Sequence, residues 1–76
     1  MDIDDFRRWR AVAKNGLASR DLLSEREEDF LLDIDEKFTK YRAKAFLSDK
    51  QATWLDDIEL QLRDALGNSY DEDADD

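Results

Sequence analysis

The chain has no cysteine, no histidine and no proline, and only two glycines, Gly16 and Gly67, in 76 residues. Without Cys there is no disulfide framework and no thiol nucleophile; without His there is no imidazole base, and the ordinary zinc and haem ligand sets are gone. No metal or cofactor is expected, and a reducing, cytoplasmic setting suits the composition. The scarcity of Pro and Gly removes the turn punctuation that a set of short strands needs, which leaves helices as the expected elements. Long apolar runs are missing too. The opening MDIDDFRRWR is acidic and then basic, so neither a signal peptide nor a membrane span is expected there. A chain this short has room for one domain, burying roughly 60% of its unfolded surface. A deep catalytic cleft is therefore not expected, and the chain reads as a non-enzyme.

What the sequence does hold is repetition. LLSEREEDFLLDIDEKF is followed, 24 positions further on, by FLSDKQATWLDDIELQL. Leu23, Ser24, Leu31, Asp33 and Ile34 recur as Leu47, Ser48, Leu55, Asp57 and Ile58, and Phe30 returns as Trp54. Ser24 with Glu27, and Ser48 with Gln51, are capping boxes, in which the hydroxyl accepts from a backbone N–H and the long side chain reaches back to the cap. Each repeat therefore starts a helix. After the first box, Phe30, Ile34, Phe38, Tyr41 and Ala45 lay down an apolar stripe with Leu31 alongside; after the second, Leu55, Ile58, Leu62 and Leu66 do the same with Trp54 beside them.

An earlier helix is expected from Asp2, a candidate cap, with Asp4 and Asp5 in its positive first turn and Ile3, Phe6, Trp9 and Ala13 as its stripe. Lys14, Asn15 and a left-handed Gly16 are the expected stop, followed by LASRDLL as a connector. Gly67 and Asn68 end the last helix. The expected fold is all-α: a three-helix arrangement built on an antiparallel helical hairpin, linked near Phe46 and Leu47, with the first helix closing its open side. The domain is expected to span residues 1–67 and a disordered acidic tail residues 68–76. YDEDADD alternates acids like a calcium loop but lacks its glycine and its closing glutamate.

Charge is uneven along the chain. The total is −9, and residues 21–36 hold eight carboxylates against Arg26 alone, whereas residues 37–50 hold five cations against Asp49. Glu25, Asp29, Asp33 and Glu36 share one helix face, with Glu28 and Asp35 beside it, at steps of about 6 Å. Like charges so placed oppose the helix. A row of carboxylates resembles a row of phosphates, and a surface built to hold DNA with Lys and Arg will also accept it; the plain alternative is a solvated, solubilising face. Asp56 and Asp57 are secondary candidates. They carry no acid–base expectation without a cleft. FRRWR interleaves cations with an aromatic, as nucleic-acid binders do, but Phe6 and Trp9 fall on the apolar stripe and a chain of net −9 repels a polyanion, so direct nucleic-acid binding is not expected. Eight aromatic residues are many for so thin a core. Some of Phe6, Trp9, Phe46 and Trp54 are expected to line a target or self-association surface, with a homodimer among the expected states.

The paired motifs LSEREEDFLLDI and LSDKQATWLDDI resemble small helical proteins encoded by phages and prophages, over residues 22–62. The middle departs from their pattern, with TKYRAKAF in place of a shorter linker. The resemblance implies a phage or mobile-element setting and supplies no catalytic residues. Together with the acidic row it yields the expectation of an inhibitor, directed at a host nucleic-acid-handling or defence complex such as a CRISPR effector or a restriction enzyme. The other expectation is an accessory module that binds a phage replication or recombination protein through an apolar helix face.

Overall fold

The computed structural model describes residues 2–72 and is all-helical, with α1 at Ile3–Ala18, α2 at Glu25–Tyr41 and α3 at Asp49–Leu66. Short 3-10 turns follow each helix, at Arg20–Leu22, Arg42–Lys44 and Gly67–Ser69. Both capping boxes are formed. Ser24 Oγ accepts from the Glu27 N–H at 3.2 Å while the Glu27 carboxylate accepts from the Ser24 N–H at 2.9 Å; Ser48 and Gln51 repeat this at 3.2 and 3.0 Å. The repetition in sequence is thus a repetition of helix starts.

The beginning and end of α1 differ from expectation. Asp2 occupies the cap position, but its side chain makes no capping hydrogen bond; only its carbonyl takes part, accepting from the Phe6 N–H at 2.9 Å. Gly16 does not stop the helix. The chain continues to Ala18, and the Ser19 N–H closes the end on the carbonyls of Asn15 and Gly16, both at 3.1 Å. Gly16 is there for proximity, since a methyl group at that position would overlap Leu31 Cδ1. Left-handed backbone occurs instead where α2 and α3 end, at Arg42 (φ 50°) and Gly67 (φ 54°). Gly67 adopts this freely. At Arg42 the same turn carries a steric cost.

The centre of the fold is α1. It buries Phe6, Trp9, Ala11, Val12, Ala13, Asn15 and Gly16, a face too broad for one neighbour, and its backbone comes close to both α2 and α3. From α2 come Leu31, Ile34 and Phe38, from α3 Leu55, Ile58 and Leu62, and Phe38 meets Phe6 edge-to-face at 5.4 Å. Full burial of each such side chain contributes about 1.5–3 kcal/mol. Of the stripe expected on α2, Tyr41 is half exposed and Ala45 lies beyond the helix, though buried. Where α2 and α3 meet, large side chains span the gap: Phe30 and Trp54, equivalent positions of the two repeats, stack at 4.1 Å with planes 18° apart.

The packed structure reaches past residue 67. Tyr70 is buried in the core, and the Asn15 side chain holds the backbone of Asp71 at both groups, Nδ2 donating to its carbonyl at 2.7 Å and Oδ1 accepting from its N–H at 2.9 Å. Asn15, expected as part of a helix stop, is instead a buried clamp between α1 and the segment after α3. Of the expected tail, residues 73–76 lie outside the described residues. No helix among the described residues is long and apolar enough to cross a membrane.

Candidate interaction surfaces

The acidic row is present as a surface. Glu25, Asp29, Asp33 and Glu36 are all exposed on α2 and make no ion pair among the described residues. Glu28 is half-buried and lies 3.5 Å from Arg20, so it belongs to the seam with the preceding turn. Asp57 is exposed. Asp56 has a different setting, with its carboxylate accepting from Arg8 Nη2 of α1 at 2.7 Å. The seven acidic candidates therefore divide, with the four-residue row on α2 and Asp56 in an ion-pair network between α1 and α3.

That network is centred on Glu59, which is buried. Arg8 donates to it from Nη2 at 2.7 Å and from Nε at 3.1 Å, and Arg63 lies 3.6 Å away one turn along α3. Arg63 in turn binds Glu72 at 2.6 Å and covers the Tyr70 ring at 4.4 Å, while Arg8 covers Trp9 at 4.2 Å. A chain of alternating charges thus runs from Asp56 through Arg8, Glu59 and Arg63 to Glu72. The Arg8 guanidinium is held above its ordinary pKa chiefly by the hydrogen bond to Glu59, and that of Arg63 by its bond to Glu72. Burial, then the nearby Glu59 charge, pushes the Tyr70 hydroxyl up to about 12. That hydroxyl has no hydrogen-bond partner among the described residues.

Sequence reading missed the network, although a signal was available. Glu59 stands four residues after Leu55 and three before Leu62, on the buried side of α3, so a carboxylate there requires a cation from a neighbouring element. FRRWR supplied it. The aromatics also redistribute: Phe6 and Trp9 are buried, Trp9 reaching only the hollow beside Phe46, and Arg8 lies over the Trp9 ring, which removes it as a base-stacking platform. Phe46 is 78% exposed.

Chemical equipment is sparse. No cluster of three or more candidate metal ligands exists among the described residues. The hollows are shallow; one beside Phe46, of about 320 Å³, is lined by Asp5, Trp9, Ala45, Leu47 and Ala52, and another by Lys37, Tyr41, Lys44 and Ala45. A further hollow is lined by Arg63, Asn68, Tyr70, Asp71 and Glu72. Comparison with known proteins found no match to any family model, any curated protein or any solved structure.

Proposed function

We propose that this chain is a non-enzymatic acidic interaction protein that acts in the cytoplasm by occupying the basic, nucleic-acid-binding surface of a protein partner. One observation carries the reading: Glu25, Asp29, Asp33 and Glu36 stay exposed and without ion pairs among the described residues, in a chain that neutralises Asp56, Glu59 and Glu72 with arginines. A rigid helix spaces these charges at about 6 Å, comparable to phosphates along a nucleic-acid strand, and requires no ordering on binding. The likeness of residues 22–62 to phage-encoded helical proteins supports a role as an inhibitor of a host nucleic-acid-handling or defence complex. The row is presented by an antiparallel hairpin of the two repeats. Supporting that pairing, Gln61 reaches the carbonyl of Leu22 just before α2, Trp54 stacks on Phe30 and Lys37 reaches the carbonyl of Phe46 just before α3, so the partners advance through the first repeat as they retreat through the second.

A second reading, docking on a phage replication or recombination protein through an apolar helix face, is favoured by Leu60 on α3, 63% exposed, and Leu32 on α2, 41% exposed. Competition with DNA for a captured target separates the two. The variant Glu25→Gln/Asp29→Asn/Asp33→Asn/Glu36→Gln is expected to keep its helix content and lose displacement, and the parent is expected to weaken steeply with salt. A neutralised variant that displaces DNA as well as the parent overturns the mimicry and favours the apolar dock.

A further inference from the structure

The end of the molecule where α2 gives way to α3 is the electrostatic opposite of the acidic row. Lys37 and Lys44 line a hollow there with Tyr41, 52% exposed, and Phe46, 78% exposed; Lys40 lies over the Tyr41 ring at 5.8 Å and Arg42 follows Tyr41 in the chain. Phe46 is held outward rather than left loose. The Ala45 before it is buried, Leu47 after it packs against the core, and Lys37 Nζ donates to its carbonyl at 3.1 Å. Arg42 sits at φ 50°, where the second repeat uses Gly67, so a cation occupies a position that glycine would fill with less strain.

We infer that this basic, aromatic end docks the acidic α2 face of a second copy, head to tail. Complementarity on the chain itself selects that occupant: four carboxylates without ion pairs among the described residues share the α2 face that carries exposed Leu32, while Lys37 and Lys44 flank exposed Phe46, with Lys40 and Arg42 next to Tyr41. A symmetric dimer through Phe46 would set Lys37 and Lys44 against the same residues of its twin, and one through the row would set carboxylate against carboxylate; like charges so opposed are repulsive. A long polyanion fits the basic end poorly, because Asp33 and Glu36 stand one helical turn before Lys37 and Lys40. In a docked pair one copy keeps a free acidic row and the other a free basic end, so a third copy can add at either end and assembly grows as chains. The inference does not rest on the target reading, although copies so joined have fewer acidic rows open to a target.

Sedimentation of the full chain over a concentration series tests it without any target. Average mass is expected to rise continuously with concentration in ~0.1 M salt, and the association constant to fall at least about tenfold in ~1 M salt, as the screening length drops from about 10 Å to about 3 Å. Lys40→Glu/Lys44→Glu and Asp29→Lys/Asp33→Lys are each expected to stay monomeric alone and to associate one to one when mixed, because the first keeps the acidic row with its basic end neutralised and the second keeps the basic end with its row neutralised. Phe46→Ser is expected to weaken wild-type association with no change in helix content. A monomeric parent at every concentration, a mass that levels off at two chains, or a mixture that does not associate overturns the inference.

Discussion

The two repeats begin in the same way and use charge in opposite ways. Ser24 and Ser48 start their helices with the same paired hydrogen bonds, and each helix lays three large apolar side chains against α1. On α2 the acids Glu25, Asp29, Asp33 and Glu36 face solvent without ion pairs among the described residues, whereas on α3 Asp56 and Glu59 are bound by Arg8 of α1. Carboxylate content therefore says little about whether an acidic helix is a binding surface. What decides whether its charge stays unpaired is whether a neighbouring element brings a cation to the same place, and α1 brings Arg8 to α3.

The most damaging way to break that comparison is to remove the cation. Arg8→Met leaves buried Glu59 with Arg63 alone, at 3.6 Å, and is expected to lower stability by about 3 kcal/mol, read as the denaturant midpoint. Adding Glu59→Leu should recover most of the loss, because the penalty comes from the stranded charge and not from the missing pair. An Arg8→Met protein with the parental midpoint would mean that the network is ornamental and that the two repeats do not differ in the way described.

Next in size is an alkaline effect confined to the α3 side. Tyr70 has an ordinary pKa near 10, and in the folded chain burial raises it to about 12. A raised folded pKa gives a contribution that is complete below pH 10 and disappears as pH climbs from 10 to 12, with an upper bound of about 3 kcal/mol. Lysines titrate in the same range, so the measurement is the difference between the parent and Tyr70→Phe. The variant should lack this increment of alkaline loss and be at least as stable at neutral pH, since it buries no hydroxyl without a partner. Parallel curves would remove Tyr70 as the cause.

Ser24→Ala and Ser48→Ala test what the repeats share. Each should cost about 1 kcal/mol, the usual loss for an N-cap, and the two costs should be similar. Helix starts of this kind were the most legible feature of the sequence because a capping box is local: four residues determine it whatever the rest of the chain does. The all-helical class and the Gly67 stop were legible for the same reason. Gly16 and Asn15 were misread because their roles are long-range. Leu31, fifteen residues on, is what excludes a side chain at position 16, and the backbone of Asp71 is what position 15 holds. The acidic row could be read from helical spacing alone, while the pairing of Asp56 with Arg8 depends on how α1 is placed, which spacing does not encode.

The smallest effect separates the two acidic surfaces by sign. Asp29 has Glu25 and Asp33 one turn away on either side and makes no ion pair among the described residues, so Asp29→Asn should stabilise the chain by a few tenths of a kcal/mol as repulsion is relieved. Asp56 meets Arg8 at 2.7 Å at a half-exposed site, so Asp56→Asn should destabilise, by up to about 1 kcal/mol. Glu25 is the less clean choice for this test, because it lies in the first turn of α2, where the helix dipole favours an anion and offsets the gain. Rising salt should shrink both shifts towards zero, since both groups are exposed to screening. Thermal unfolding of the two variants beside the parent at low salt resolves differences of this order if done in parallel. Shifts of the same sign would show that α2 and α3 carry their acids in equivalent surroundings, and the observation behind the proposed role of the α2 row would be lost.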